Sequence, residues 1–582
     1  MSDLNSAGNV PSQPVQQSQS ALKRSRQSVR SIWIYAFALA AGCMAATQLT
    51  FPAHFETVDD LNFTLLLSGV GLTHTPTFTT WFTNVLITYP LMWLYQLTPD
   101  IPWYSIYLFS ALAASFTIFA AVFMLRFNWK VGAALFLTYY IAVGAQAVNA
   151  LQYTSTAALL SQAGFLLVFC LPLTERFRAK DLPNWMIVVG FIATVFAAMI
   201  RFEPFMLVIS FSSITILAVA SGKLDLIKRH GKPLCWFVVA VLIGAGLKTA
   251  NNLYYDTQPA YAGVRDLFKP FSEIADSDRK YIREKKHQLS ENDFALVKQF
   301  FVADSEVFTT DAMSRAVAGT EIPFTTRKLQ WVLSSEILPV LLLCLSMVWL
   351  LDFKIMNKKR LAVWFSGIVL LILYLAFFMK LPPRVHLTLL TCTMTTLFAF
   401  IDRAKLKRIA HNLKQANQAK RIAAFAMIFA IAGWLAFSTI SLLYEDWQYF
   451  SDKGKRITVA IKALNPQPGQ LFVVLGTSTP YQFMRPFQNL RDSFATFDIY
   501  RTSLWGRLPV GYNMLENHGF SSLLDACRSR NVFFISNPSA NNLFTKFCAE
   551  HYQTSAVFTH VFGDPNVDFD VYSLKLTPRK KV

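Results

Sequence analysis

Residues 32–51 have the sequence IWIYAFALAAGCMAATQLTF, and residues 52–62, which follow directly, have the sequence PAHFETVDDLN. The first run is apolar over about 20 residues, which is the helix length that crosses the hydrocarbon core of a bilayer. Basic residues precede it: Lys23, Arg24, Arg26 and Arg30. Because cytoplasmic flanks of spanning helices are rich in Lys and Arg, the pattern predicts a retained signal anchor with a cytoplasmic N-terminus.

The composition of the whole chain is typical of a polytopic membrane protein. Its 582 residues are 53% hydrophobic and 15% charged, and the mean hydropathy is +0.36. Soluble domains carry about 25% charged residues. The formal net charge of +19 could suit a nucleic-acid-binding protein, but Lys and Arg lie mostly in short loops between apolar runs. This distribution follows the positive-inside rule, and without a basic-aromatic stripe we exclude nucleic acid as a partner.

Apolar runs predict about eleven membrane spans. They lie near residues 31–51, 104–125, 131–149, 155–173, 184–200, 203–221, 233–250, 333–351, 361–379, 386–402 and 422–443. With this threading the loops assigned to the cytoplasm are net positive, as the positive-inside rule requires. A further apolar segment, residues 77–97, would invert every later loop if it crossed. We therefore predict that it forms an interfacial or re-entrant helix on the outer face.

The spans divide the chain into three predicted regions. Residues 1–30 are predicted to be a disordered, basic cytoplasmic tail, since their first part is rich in Ser, Gln and Pro. Residues 31–443 form a membrane helix bundle with long outer loops at 52–103 and 251–332. Residues 444–582 are predicted to form a small extracytoplasmic α/β domain. Its expected strands are 471–476, 531–536, 555–562 and 569–576.

Two features of the outer regions remain open at this stage. Cys527 and Cys548 could form a disulfide if the C-terminal domain is extracytoplasmic, but spacing alone does not establish the geometry. The loop 251–332 is long enough to have a function of its own. Its acidic residues are predicted to form a solvated helical face, and a role in acceptor binding is the alternative: Glu291, Asp293, Asp304 and Glu306.

The acidic residues after the first span are the first candidate for chemistry. Glu56, Asp59 and Asp60 are spaced i, i+3 and i+4, so they share a face if the segment is helical. Charge at the edge of a bilayer is costly unless it is used. Crowded carboxylates raise one another's pKa, which suits a general base. The alternative is a solvated loop whose acids only mark the outer side.

Basic residues on the same side are the second candidate. Arg201 and Glu203 lie in the tight hairpin MIRFEPF, and Lys380 and Arg384 bracket the proline-stiffened turn KLPPR, just before His386. Positive charge is disfavoured on the outer side. We therefore predict that these cations bind a lipid phosphate or diphosphate through charge-assisted hydrogen bonds. The alternative is that they snorkel to lipid headgroups.

The order of these features resembles the GT-C superfamily of membrane glycosyltransferases. Its members have a first span, an acidic pair in a long outer loop with interfacial helices, many further spans and a soluble C-terminal domain. Here Asp59 and Asp60 correspond to the acidic pair, and residues 77–97 to the interfacial helix. The stretch THTP, which contains His74, resembles the His-Pro that follows in several members.

Three further stretches are similar to a group of bacterial polytopic proteins with this presumed fold: DDLNFTLLLSG, the pair Trp103-Tyr104, and LSENDFALVKQFFVADSEVF at 289–308. The chain lacks the WWDYG-type signature of oligosaccharyltransferases, which argues against en-bloc transfer to protein. The histidines at 54, 74 and 386 are too dispersed in sequence to predict a zinc site. No P-loop or G-x-S-x-G elbow occurs.

The resemblance implies an inverting glycosyltransferase of the bacterial inner membrane. It would transfer a sugar from a polyprenyl-phosphate donor to a cell-envelope glycan or lipid on the outer face. Asp59 would be the base, Asp60 or Glu56 would orient the acceptor or hold a divalent cation, and Arg201, Lys380 and Arg384 would stabilise the departing phosphate. Further acceptor-side candidates are His54, His74, Glu203 and His386. The alternatives are a flippase for lipid-linked glycans and a non-catalytic accessory subunit.

Overall fold

The computed structural model describes residues 14–171, 183–220, 231–275, 279–282, 288–321, 358–378, 383–401, 403–415, 417–477 and 479–578. The described chain is mainly helical, with a five-stranded sheet near its C-terminus. Six of its helical segments are long and apolar enough to cross a membrane. They are Val29–Thr50, Trp103–Arg126, Trp129–Asn149, Tyr153–Cys170, Phe202–Val219 and Leu234–Asp256.

The first half of the chain contains the following elements: α1 Pro14–Thr50, β1 His54–Phe55, α2 Val58–Ser68, α3 Val85–Leu97, α4 Trp103–Arg126, α5 Trp129–Tyr139, α6 Ala145–Asn149, β2 Ala150–Leu151, α7 Tyr153–Phe165, α8 Asn184–Ile200, α9 Phe202–Ala220, α10 Gly231–Asp256 and α11 Pro259–Ala275. One π-helical segment, Tyr140–Gly144, joins α5 to α6, and another, Leu166–Cys170, extends α7. Each of these two spans is therefore continuous.

The second half contains β3 Lys280–Tyr281, α12 Glu291–Lys298, α13 Thr310–Ala318, β4 Thr320–Glu321, α14 Lys358–Phe378, α15 Pro383–Phe400, α16 Arg403–Gln415, α17 Gln418–Leu464, β5 Leu471–Val474, α18 Arg491–Phe494, β6 Asp498–Arg501, α19 Pro509–Asn517, α20 Leu523–Ala526, β7 Val532–Ile535, α21 Pro538–Tyr552, β8 Thr554–Asp564 and β9 Phe569–Pro578. Short 3₁₀ turns lie at Pro480–Phe483, Leu504–Arg507 and Pro565–Val567.

The predicted boundaries need several corrections. Helix α1 begins at Pro14, so the prediction of disorder through residue 30 was wrong for its second half. The segment at 77–97 is helical only from Val85, because Asn84 caps the helix by accepting a hydrogen bond from Leu86 N. Among the described residues, six helices are long and apolar enough to cross a membrane, whereas the sequence predicted about eleven spans. The predicted span at 333–351 lies outside those residues.

The predicted boundary at residue 444 lies inside one continuous helix. Helix α17 has 47 residues and runs from the predicted last span directly into the C-terminal region, ending at Leu464. The continuous apolar run ends near residue 443, whereas the helix continues and still buries Ile457, Ala460 and Ile461 in the core that includes the bundle. The sheet region begins only at β5.

The C-terminal sheet confirms the four predicted strands and adds β6, which the sequence pattern did not predict. The strand order is β6-β5-β7-β9-β8, with β6, β5 and β7 parallel, β9 antiparallel to β7, and β8 antiparallel to β9. Strand β6 has the sequence DIYR, which is too short and mixed to show alternation. Cys527 and Cys548 are both buried free thiols, so the disulfide considered above is not formed.

Both faces of strand β5 are buried, as is usual for a parallel sheet. Phe472 and Val474 pack in the hydrophobic core that includes the helix bundle, whereas Leu471 and Val473 pack in a second core. That second core also contains side chains from α11 to α13. The described part of the 251–332 loop is therefore an integral part of the C-terminal unit.

The acids of this loop are not all solvated, which corrects the predicted solvated face. Asp293 is fully buried, caps α12 together with Ser290, and accepts a hydrogen bond of 2.9 Å from His551 Nε2 of α21. Arg507 reinforces the same junction by donating to the carbonyl oxygens of Val302 and Phe308.

Replacement of Phe301 tests how strongly the loop and the C-terminal domain depend on each other. Phe301 is 1% exposed, and its ring centroid lies 5.7 Å from that of Phe544 and 5.3 Å from that of Phe547. We expect Phe301→Ala to lower the free energy of unfolding of this unit by about 3–5 kcal/mol, because a large buried ring is lost. Hydrogen exchange of the backbone amides of β5 and α21 in the detergent-solubilised protein measures this free energy.

The control is Val557→Ala, at a half-exposed position of β8. It should change the free energy of unfolding by less than about 1 kcal/mol. Equal protection in Phe301→Ala and the control would show that the two units fold separately.

Candidate functional site

A cavity of about 350 Å³ lies where the helix bundle, the 251–332 segment and the C-terminal domain meet. Its charged lining residues come from four distant parts of the chain: Asp59, Arg201, Arg384 and Arg501. Aromatic side chains form much of the remaining wall: Trp81, Phe82, Phe268, Phe271, Phe300 and Trp505. An apolar pocket with a few convergent charged groups is the usual form of a ligand site.

The two adjacent aspartates have different environments. Helix α2 begins after Thr57, so both lie in its first turn, where the partial positive charge of the helix N-terminus favours carboxylates. Asp59 is half-buried and lines the cavity. Asp60 is completely buried and is not part of the cavity lining. Only Asp59 can therefore contact a molecule in the cavity.

Asp60 holds three elements together. Its carboxylate accepts hydrogen bonds from Tyr104 Oη at 2.9 Å, Tyr153 N at 3.0 Å and Thr57 Oγ1 at 2.9 Å. Burial raises the pKa of Asp60 to about 8, while these three hydrogen bonds lower it. Its oxygens are already occupied, so it does not suit the alternative role of holding a divalent cation. Asp60 is a positioning residue.

Arg201 is held at the cavity through Tyr153. It lies between α8 and α9, and its Nη1 donates to Tyr153 Oη and Thr154 Oγ1, each at 2.6 Å. Its guanidinium carbon lies 5.1 Å from the ring centroid of Phe82. Glu203 is more than half exposed and accepts from Arg201 Nε at 3.4 Å. Several partners thus fix the orientation of this cation before any ligand binds.

Glu56 lies outside helix α2, which corrects the prediction that all three acids share a helical face. It precedes the N-cap residue, and its backbone N–H donates to Leu151 O at 3.2 Å beside the β1–β2 pair. Burial raises the pKa of Glu56 to about 7; Arg384 lowers it and Asp446 raises it. Glu56 is therefore the electrostatic neighbour of the cavity residue Arg384.

The remaining predicted residues are placed apart from the cavity lining. His54 is buried and stacks on Phe450 with ring centroids 3.8 Å apart, and burial lowers its pKa to about 4, so it is neutral at pH 7. His74 lies beside Asp498 of the C-terminal domain. His386 is buried on α15. Lys380 lies outside the described residues.

Arg501 is the cavity residue that sequence reasoning missed. It ends strand β6, is 6% exposed, and its Nε and Nη1 have no hydrogen-bond partner among the residues that the structure describes. Buried guanidinium N–H groups that lack hydrogen-bond acceptors are costly. In parallel sheets, ligands bind beyond the carboxyl ends of the strands, and Gly476 and Ser503, which follow β5 and β6, line this wall. Strand β6 is too short to be predicted from its sequence, so no sequence pattern indicated that Arg501 lies at the end of a strand.

Backbone strain is also concentrated at this cavity. Trp81 and Phe300 have φ values of 61° and 65°, a left-handed conformation that bulky side chains rarely adopt. Both line the cavity. Such conformations cost about 1–3 kcal/mol each, persist where the surrounding packing holds them, and cluster at functional sites. Gly476, with φ of 65°, could not carry a Cβ, which would lie 2.8 Å from Gln299 O.

Comparisons with known proteins add no relative, since no family model, curated protein or solved structure matches the chain.

Replacing the two adjacent aspartates separates their roles. We expect Asp60→Ala to lower the free energy of unfolding by roughly 3 kcal/mol, because Tyr104 and Tyr153 lose a buried acceptor. Asp59→Ala should change it by less than about 1 kcal/mol, because Asp59 faces the cavity. Thermal unfolding of the purified protein in detergent measures both. A larger loss of stability in Asp59→Ala would contradict the assignment of Asp60 as the structural residue.

Proposed function

We propose that this chain is an integral-membrane glycosyltransferase that takes a sugar from a polyprenyl-phosphate donor. The acceptor would be a cell-envelope glycan or lipid on the outer face of a bacterial inner membrane. One observation carries the proposal: a carboxylate and three arginines from distant parts of the chain line the same aromatic-walled cavity. Arginines supply paired donors for a phosphate, and aromatic rings supply apolar surface for a sugar or lipid.

In the proposed reaction Asp59 is the general base. Its carboxylate takes the proton of an acceptor hydroxyl while that oxygen forms a bond to the anomeric carbon of the donor sugar. The bond between the anomeric carbon and the phosphate oxygen breaks, and the phosphate leaves with the electron pair. Direct displacement inverts the configuration of the anomeric carbon. A positioned base contributes about 10²–10⁴-fold to such a step.

The arginines would stabilise the leaving phosphate. Arg201 is already oriented by Tyr153 and Thr154, so little reorganisation is needed when negative charge develops. Arg384 lies at the start of α15 and faces the same cavity. Arg501 adds a cation from the C-terminal domain, which the resemblance did not suggest. With Asp59 as the acidic residue in the lining, the cavity has an excess of positive charge, which suits an anionic donor.

Loss of the base should abolish transfer. In cells that depend on this chain, we expect Asp59→Asn to reduce the glycan product by about 10²–10⁴-fold without reducing the amount of folded protein. Mass spectrometry of envelope glycans, compared with a deletion strain, measures the product. The matched control is Asp100→Asn, an exposed acid of the same outer loop that lies outside the cavity. Unchanged glycans in Asp59→Asn would remove the base assignment.

The binding of a lipid phosphate should depend on the ionisation of Glu56. Below its pKa of about 7 the carboxyl is neutral; above it, the negative charge offsets Arg384 and competes with an anionic ligand. We expect Glu56→Gln to bind a short polyprenyl phosphate several-fold more tightly than the native protein at pH 8. At pH 6 the two proteins should bind it about equally.

Thermophoresis of the protein in nanodiscs measures these affinities, and taking the ratio of the two proteins cancels the ionisation of the phosphate itself. Glu445→Gln, at an exposed position of α17, is the control and should match the native protein at both pH values. A ratio that is the same at pH 6 and pH 8 would show that Glu56 does not influence the phosphate site.

A further inference from the structure

Two histidines and an aspartate from three separate elements converge outside the cavity. His74 lies in the loop between α2 and α3, Asp498 begins β6, and His518 follows α19. His518 Nε2 lies 3.1 Å from Asp498 Oδ2, and His74 Nε2 lies 3.6 Å from the same oxygen. One potential ligand atom from each residue lies within 4.8 Å of the other two.

We propose that His74, Asp498 and His518 bind a divalent transition-metal ion of the zinc type. This ion would clamp the outer loop onto the C-terminal domain. Two imidazoles and a carboxylate are a common ligand set for such ions, and a fourth position remains for water. The sequence concealed the set because its members are 424 and 20 residues apart (498 − 74 and 518 − 498).

The distances favour a metal set over simple hydrogen bonding. Zinc binds His nitrogen and carboxylate oxygen at about 2.0–2.2 Å, so two tetrahedral ligand atoms lie roughly 3.3–3.6 Å apart. The observed separations of 3.1 and 3.6 Å are close to that range. A hydrogen bond to Asp498 accounts for His518, but 3.6 Å is too long for one from His74. The position of His74 is explained by a shared ion.

The accessibility of the three side chains suits entry of an ion from solution. The side chains of His518 and Asp498 are 7% and 16% exposed, so they are held in place by packing, whereas that of His74 is 45% exposed. A rigid buried pair and an accessible third ligand allow the ion to enter and then to draw in the loop.

Two other histidine–carboxylate groups in the described chain are weaker candidates. Asp293, Glu550 and His551 also bring three potential ligand atoms within 4.8 Å of one another. Their carboxylates are already engaged, because Asp293 accepts from His551 Nε2 and from Ser290 N, and Glu550 accepts from Ser290 Oγ. His560 and Asp570 pair on the surface at 3.2 Å and belong to no group of three such ligands among the described residues. They provide internal controls.

The position of the proposed ion indicates a structural role. It would sit at the start of β6, and Arg501 at the other end of the same strand lines the cavity, about 10 Å away. The loop also touches this strand through the backbone, since Ile499 N donates to Gly71 O at 2.8 Å. The ion would therefore hold the wall that contains Arg501 over the helix bundle.

Zinc binding by the full-length protein in detergent tests this proposal. After removal of metal with a chelator, we expect calorimetric titration with zinc to give one ion per chain and an increase in melting temperature of several degrees. His74→Ala and His518→Ala should lose both effects. His560→Ala and His551→Ala should retain both. His74→Ala is the decisive variant, because its exposed side chain can be removed without unfolding the protein.

Several results would overturn the proposal. They are absence of zinc binding by the native protein at micromolar free zinc, native-like zinc binding by His74→Ala, or loss of zinc binding in His551→Ala alone. Metal stoichiometry and melting temperature are measured without any sugar transfer. The metal proposal and the proposed glycosyltransferase activity can therefore fail independently.

Discussion

The buried carboxylate of Asp60 is the interaction on which the arrangement of the site depends. It accepts hydrogen bonds from the start of α4, through Tyr104, and from the start of α7, through Tyr153. Tyr153 in turn accepts a hydrogen bond from Arg201. A buried acid that lost these donors would be strongly destabilising, so the three helix ends must stay together. Asp59, the neighbouring residue, is thereby directed toward the cavity.

The C-terminal domain completes the site because it is not an independent appendage. One side of β5 packs into the core that includes the helix bundle and the other side packs against α11 to α13. A sheet buried on both faces cannot leave without exposing two apolar surfaces. The carboxyl ends of β5 and β6 are consequently held over the bundle, where Arg501 lines the cavity. Strained Trp81 and Phe300 at the same junction show that the packing there overrides local backbone preference.

Much of the architecture was predictable, and the reasons for the exceptions differ. Long apolar runs predicted the six long helices and short apolar runs between turns predicted four strands, because burial imposes these patterns directly on the sequence. Helix α17 was divided wrongly at residue 444, because hydrophobicity changes where the environment changes, although the helix continues. Strand β6 was missed because four mixed residues show no period.

The sequence by itself determined that charged residues accumulate around the ends of apolar helices, including Asp59, Arg201 and Arg384. Only the tertiary structure decided that these three line one cavity, that Asp60 is buried outside its lining, and that Arg501 joins it. The physical reason is that the local pattern of apolar and polar residues indicates only whether a side chain lies in the apolar interior or outside it. Which distant residue lies opposite is decided by helix packing and by hydrogen bonds such as those of Asp60. The meeting of His74 with Asp498 and His518 has the same origin.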